Sequence, residues 1–309
     1  MIYMSFRNPN FHFDVVKQRK KFFIFSSLLT VIGIICLLTV GLKLSIDFES
    51  GTKIEFSGKQ LNAAEITKDF EDLGLNPDGQ PVISGKTGNR ATVSFVGMLS
   101  RQQVAKVNTT IQDKYGDQPN INTVSPTVGR ELARNALISV LIASIGIIIY
   151  ISLRFEWLMS LAAIIGLLHN AFLIVAVFSI LRLEVDLTFI AAVLTIVGYS
   201  VHDTIITFDR IRENMKFTKV KNVETLYKVI NDSIMQTLTR SINTVFAVVL
   251  TVVALLIFGN QSIMNFSIAL LIGLIFGTYA SICIASQLWF VFKSRQLKKQ
   301  KFNSANNQA

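Results

Sequence analysis

Six stretches of this chain are each long and apolar enough that a bilayer is their natural solvent: 22–42, 132–153, 157–181, 185–208, 242–258 and 263–292. A helix needs about 20 mostly apolar residues to cross a membrane. By that measure the fifth is short at its margins and the sixth long. Composition agrees: 51% of the residues are hydrophobic and 16% charged, against roughly 25% charged in soluble domains. An ordinary soluble domain and a disordered chain are both excluded. The fold class is a polytopic α-helical membrane protein with six transmembrane helices and one soluble region, 43–131, between helices 1 and 2.

The net charge of +10 could mean nucleic acid or membrane topology. Position separates the two. Of the 30 Lys and Arg residues, 18 fall in 1–21, 210–240, 293–309 and at Arg154. Residues 43–131 hold 10 of them against 11 Asp and Glu. The surplus follows the positive-inside rule, so no nucleic-acid partner is expected. This puts the N-terminal segment 1–21, the loop 210–240 and the basic tail 293–309 in the cytoplasm, with 43–131 outside. Residues 22–42 are transmembrane helix 1 and 132–292 a five-helix membrane domain. Lys17, Arg19, Lys20 and Lys21 before the first span resemble a signal-peptide n-region. The apolar run outlasts the roughly 7–15 residues of a signal h-region, which favours an uncleaved anchor. Val223, Leu226, Val229, Ile230 and Leu238 suggest a short amphipathic helix over 219–238 on the cytoplasmic surface.

The 43–131 region changes texture. Ile46, Phe48, Ile54 and Phe56 alternate as in a strand. Asn62-Ala-Ala-Glu65 reads as a capping box that opens a helix through Ile66, Phe70 and Leu73, closed by Gly74. Val82-Ile83 and Ala91, Val93 and Phe95 suggest two strands with a turn over 85–89. Ser100 and Gln103 form a second capping signature before Val104, Val107 and Ile111, with Gly116 as the stop. A last strand is expected over 121–128. The order β-α-β-β-α-β is ferredoxin-like. Gly85-Lys86-Thr87 imitates the end of a P-loop, but that motif needs a Gly at position 80, where Gln80 stands. A hairpin turn is the better reading. With no cluster of His, Cys or carboxylates, the domain looks like a binding or moving module, and the chain is not expected to be an enzyme or to hold a metal. Cys36 and Cys283 lie in apolar runs, where thiols act as small hydrophobes.

Ionisable groups at bilayer depth are costly, by at least about 2.5 kcal/mol each, and so are functional candidates. At about 100° per residue, Tyr199, Ser200, His202, Asp203, Thr207 and Arg210 share one side of the fourth span. Leu194, Val197, Val201, Ile205 and Phe208 share the other. The polar stripe must face protein or water. Asp203 could hold or release a proton as its surroundings change. Arg240, at the start of the fifth span, is its candidate cation, and Arg210 a second. Such a pair is either a switching contact that couples proton passage to helix movement or a static ion pair. His169 and Asn170 lie mid-way along the third span, as a relay or as helix–helix hydrogen-bonding partners. His202 has the same two readings. Gly273 and Gly277 have the small-xxx-small spacing of close helix packing.

Five segments in order resemble the SecD/SecF family of bacterial export subunits, on its SecF side. They are 46–51 (Ile-Asp-Phe-Glu-Ser-Gly), 128–132 (Val-Gly-Arg-Glu-Leu), 198–214 with Gly198-Tyr199-Ser200, Asp203-Thr204 and Phe208-Asp209-Arg210, 240–244 (Arg-Ser-Ile-Asn-Thr) and Gly277-Thr278-Tyr279. The resemblance implies a six-span half of an RND-type transporter in the bacterial cytoplasmic membrane. It implies SecD, the SecYEG channel and YajC as partners and unfolded exported polypeptides as substrate. It implies no cofactor, with the proton gradient, or sodium ions as in some relatives, as the energy source. Asp203 and Arg240 match the family's proton-pathway residues. An RND-type small-molecule or lipid exporter subunit is the alternative. Three positions depart from the pattern: Ser50 stands for the first glycine of a pair, Asn170 for an Asp and His202 for an Asn. Relay chemistry at 170 and 202 is therefore open. The Met1 start is read as that of a separate subunit.

Overall fold

The structure, a computed structural model, describes residues 14–85, 88–218, 220, 222–259 and 263–306. Within these, six helices are long and apolar enough to cross a membrane: Arg19–Thr39, Pro126–Arg154, Trp157–Ile180, Leu187–Phe217, Val223–Phe258 and Met264–Lys299. The chain divides into two compact units. One comprises 43–139 with 184–187, and the other comprises 1–42, 140–183 and 188–309.

The first unit runs β1 (Lys43–Leu44), α2 (Ile46–Glu49), β2 (Gly51–Ser57), α3 (Ala63–Asp72), β3 (Val82–Ser84), β4 (Arg90–Val96), α4 (Arg101–Tyr115) and β5 (Asn120–Val124), after helix α1 (Arg19–Thr39) of the other unit. Four strands form a sheet in the order β3-β4-β2-β5, each neighbour antiparallel. Ile54, Phe56, Ala91, Val93 and Phe95 point from the sheet into one core with Ile66 and Phe70 of α3 and Val107 and Ile111 of α4. The period-2 and period-3.6 patterns meet there because each buries its apolar side against the other.

Local chemistry sets the ends of these helices. The Gln103 amide donates to Ser100 Oγ at 3.3 Å while the Ser100 amide donates to Gln103 Oε1 at 2.8 Å, a complete capping box. Gly116 closes α4 in the left-handed region at φ 72°. Asn62 accepts from the Ala64 amide at 3.0 Å, but Glu65 does not complete the expected box. Its carboxylate lies 3.2 Å from Lys114 Nζ on α4 instead. Lys114 also meets Asp69 Oδ1 at 2.6 Å, and the Tyr115 hydroxyl donates to Asp69 Oδ2 at 2.5 Å. Burial and the Asp69 carboxylate hold the Tyr115 phenol above its ordinary range, and the bond to Asp69 raises Lys114.

Three expectations for this unit are corrected. Ile46 and Phe48 are helical, not part of the first strand: Ser45 Oγ accepts from the Asp47 amide at 3.2 Å and caps a single turn. Ser50 then reverses the chain at φ 66°, and the strand starts at Gly51. The last strand ends at Val124, and Val128 belongs to α5 (Pro126–Arg154), because Pro126 takes the first helical position, where a missing N–H costs nothing. A two-stranded parallel sheet pairs Lys43 and Leu44 with Glu184 and Val185 of β6 (Glu184–Val185), which was not expected. Of the P-loop look-alike, Lys86 and Thr87 lie outside the described residues. The flanking strands β3 and β4 are antiparallel.

The second unit is helical: α1, α6 (Trp157–Ile180), α7 (Leu187–Phe217), α8 (Val223–Phe258), α9 (Met264–Tyr279), a π-helical segment (Ala280–Ala285) and α10 (Ser286–Asn306). Close backbone approach needs glycine at the crossings. A Cβ on Gly33 of α1 would fall 2.6 Å from Ala176 Cβ of α6. Phe208 packs between Phe155 and Trp289, with ring centroids 5.8 and 6.4 Å away.

The expected loop 210–240 and its separate amphipathic helix are corrected. Helix α7 continues to Phe217, and α8 begins at Val223, where Asn222 Oδ1 accepts from the Thr225 amide at 2.7 Å. Residues 223–258 contain no Gly or Pro, so nothing interrupts the helical ladder. Leu226, Val229, Ile230 and Ile234 are buried within the unit rather than lying on a membrane surface. The amide of Val15 donates to Asn231 Oδ1 at 3.0 Å and the Tyr227 hydroxyl bonds Asp14, so the segment before α1 packs on α8. Residues 1–13, Lys219, Lys221 and 307–309, parts of the expected cytoplasmic segments, lie outside the described residues.

Candidate functional site

The polar residues of α7 do not form one stripe. Ser200, Asp203, Thr204 and Thr207, spaced i, i+3, i+4 and i+7, are buried. His202 is exposed, and Tyr199 is half-buried with its ring centroid 6.4 Å from that of His202. Val197, Val201 and Phe208, expected on the side opposite the polar residues, are buried too, since the buried positions of α7 cover about half its circumference.

Asp203 is 3% exposed. Its Oδ1 accepts from Ser241 Oγ of α8 at 2.9 Å, and its Oδ2 has no protein partner. Neither expected cation makes an ion pair with Asp203 within 4.0 Å. Arg240 is exposed and lines an open cleft with Asp209, Arg210, Glu213, Gln236 and Thr237. One residue along a helix turns the side chain by about 100°, so facing Ser241 towards Asp203 carries Arg240 away. Arg210 is taken up by Gln236 Oε1 at 2.6 Å and Glu213 Oε2 at 2.7 Å. Asp209 pairs with Arg154 at 2.8 Å and Arg212 at 3.5 Å.

The other side of the cluster comes from α6, α9 and the π-helical segment. Thr204 Oγ1 and Ser281 Oγ are 2.8 Å apart, and Ser281 Oγ also donates to Ser200 O at 3.4 Å. Ser281 is the second residue of the π-helical segment, a local widening that recurs at functional sites. Asn170 is fully buried, and neither its Nδ2 nor its Oδ1 has a protein partner. A Cβ on Gly277 would lie 3.1 Å from Asn170 Nδ2 and 3.6 Å from Ser200 Cβ, so α6, α7 and α9 meet at that glycine. One turn earlier, a Cβ on Gly273 would fall 2.2 Å from Ile196 Cδ1. His169 Nε2 bonds Ser26 of α1, and its Nδ1 is buried without a protein partner.

Ser241, Ser281, Thr204 and Ser26 join the cluster without having been singled out for chemistry. Small hydroxyl residues occur throughout membrane helices, and only helix rotation selects the ones that matter. Among the described residues, no group of three or more His, Cys, Asp or Glu side chains could hold a metal ion.

Six helices long and apolar enough to cross a membrane, one of them carrying a buried carboxylate, and an α+β unit before the second helix define a polytopic membrane protein. Residues 103–295 match the family described as "Protein export membrane protein SecD/SecF, C-terminal". The chain is 58% identical over 287 residues to the protein translocase subunit SecDF of Bacillus subtilis, covering 93% of this chain but 39% of that protein. It is 41% identical to the protein translocase subunit SecF of Alicyclobacillus acidocaldarius, covering 93% of this chain and 95% of that one. The crystal structure of SecDF from Thermus thermophilus, described as a translocon-associated membrane protein, superposes with a TM-score of 0.82 at 29% identity, over 91% of this chain and 39% of that one. The chain belongs to the SecD/SecF protein-export family, as a SecF-type member.

Proposed function

We propose that the chain is an accessory subunit of the bacterial Sec protein-export translocase. With SecD at the SecYEG channel, it uses the proton-motive force to promote outward movement of polypeptides after ATP-driven insertion. It has no cofactor and is not an enzyme. The single observation that carries this reading is Asp203: a carboxylate buried among spans, one oxygen held by Ser241 across the α7–α8 contact and the other without a protein partner. Buried polar atoms are as a rule satisfied, by protein or water. His169 Nδ1, both amide atoms of Asn170, Tyr199 OH and Asp203 Oδ2 are buried polar atoms without protein partners in this same helical unit. Water reaching them would make a proton path through α6 and α7.

The mechanism follows from the charge. Ionised Asp203 attracts the Ser241 hydroxyl and the positive field of Arg240; protonated Asp203 is drawn to both more weakly and becomes a hydrogen-bond donor. Each proton passage therefore alternates the α7–α8 contact between two preferred arrangements. Gly273 and Gly277 keep α9 close enough for the change to be shared.

The distribution of Lys and Arg supports cytoplasmic termini and an external α+β unit. We read that unit as ferredoxin-like, from its β-α-β-β-α-β order and the sheet order β3-β4-β2-β5. It would meet the exported chain; YajC would be a further partner.

Asp203→Asn tests the reading. It keeps the side-chain size and the Ser241 contact but removes titration. Expected is unchanged abundance and association with SecD, with gradient-driven export lost and ATP-driven insertion retained. Export that responds normally to collapse of the gradient refutes the role of Asp203.

A further inference from the structure

The single-turn helix α2 is more than a bend before the first long strand. Ser45 caps it, and the Ser45 amide donates to Val185 O at 2.9 Å, prolonging the parallel β1–β6 pairing. Lys43 Nζ lies 2.8 Å from Glu184 Oε1, and Lys53 Nζ 3.8 Å from Glu184 Oε2. Asp47 of α2 then reaches past this ladder: its Oδ2 accepts from the Leu187 amide at 3.2 Å. Leu187 is the first residue of α7. On its other side α2 is braced by α5, where Gly129 comes so near that a Cβ would lie 3.4 Å from both Asp47 O and Phe48 O.

We infer that Asp47 is a positioning residue for the helix that carries Asp203, its carboxylate holding the N-terminal amide of α7. The first N–H groups of a helix have no intrahelical acceptor, and negative charge is favoured there. Asp186 stands immediately before the helix, and Asp47 adds a second carboxylate to this end from α2, 140 residues away in sequence. From Leu187 to Asp203 the helix is continuous over about 24 Å. A displacement of α2 thus reaches α7 at its end, through one charge-assisted hydrogen bond and a two-residue ladder, and sets where Asp203 stands against Ser241. The inference rests on the export reading above for its functional consequence; the hold on Leu187 does not.

The experiment uses the full chain with its SecD partner in membranes. Hydrogen exchange at amides 187–190 reads the hold, and gradient-driven export reads the consequence. Asp47→Ala is expected to speed exchange at 187–190 about tenfold, because one charge-assisted bond is lost. It is expected to lower gradient-driven export several-fold while ATP-driven insertion stays the same. Asp47→Asn keeps a carbonyl acceptor and should recover part of both effects; it carries the test if the alanine variant fails to accumulate. Unchanged exchange in the available variant overturns the inference, as does faster exchange with wild-type gradient-driven export. Asp203→Asn in parallel should leave exchange at 187–190 unaltered. Normal export in that variant overturns the export reading, while the exchange data still decide the role of Asp47.

Discussion

The contact of Gly273 with Ile196 permits a quantitative test of how α9 is held to α7. An added Cβ on Gly273 would fall 2.2 Å from Ile196 Cδ1 and 2.7 Å from both Cγ1 and Cγ2. Ile196 is 1% exposed, so it has little room to retreat. Overpacking of this kind costs about 1–3 kcal/mol. Gly273→Ala should therefore destabilise the membrane unit by about 2 kcal/mol, read as heat-induced loss of monodisperse protein in detergent. The three clashing atoms differ in which truncation removes them. Ile196→Val removes only Cδ1, leaving two atoms at 2.7 Å, whereas Ile196→Ala removes all three. Alone, Ile196→Ala opens a cavity at a cost of about 2–5 kcal/mol. Combined with Gly273→Ala, part of that space is refilled and the clash disappears. The double variant should then be more stable than the two single losses predict, by about 1–3 kcal/mol of coupling. The order of rescue is Ala over Val. Additive losses, or better rescue by Val, would refute the claim that this glycine exists to admit Ile196.

Two further predictions concern the α+β unit. Ser50 holds φ 66°, a conformation that costs a non-glycine residue about 1–3 kcal/mol; Ser50→Gly should stabilise the unit by about 1 kcal/mol, seen as slower hydrogen exchange in β2, and no change there refutes the strain. The Tyr115 phenol is held above its ordinary range by burial and by Asp69, so its contribution is complete below about pH 10, the unfolded value, and is lost as pH rises through the folded one. Protection of the α4 amides, after correction for the intrinsic base catalysis of exchange, should therefore fall only at alkaline pH. Tyr115→Phe should weaken that alkaline dependence and lower protection already at neutral pH, by about 1 kcal/mol; an identical pH profile in the variant counts against the Tyr115–Asp69 contact.

Elements set by neighbouring residues were legible in advance. Ser100, Gln103 and Gly116 mark the ends of α4 because a cap is a contact between residues three or four apart. The alternation in β2 and β4 and the spacing in α3 and α4 located the core of the α+β unit for the same reason. Ile46 and Phe48 misled because apolar residues two apart fit a strand or a single helical turn, and the Ser45 cap decides. The β1–β6 pair is two residues long, too short to show any periodicity. The 219–238 segment looked like a surface helix because its apolar side is real; only packing shows that the side is covered by the chain itself.

The candidate site divides along the same line. Asp203 was legible because a charge inside an apolar span is conspicuous in any reading of the chain. Its partner was not. Arg240 carries the obvious opposite charge, yet Ser241 makes the contact, since a helix presents its residues at fixed angular intervals and packing sets the zero of that angle. Transfer free energy summed over each stretch determined from sequence alone how many helices are long and apolar enough to cross a membrane, and where they lie. Which side of each helix turns inward, which hydroxyls reach Asp203 and which residue holds the end of α7 were decided only by the tertiary structure, because those contacts join residues tens to more than a hundred positions apart.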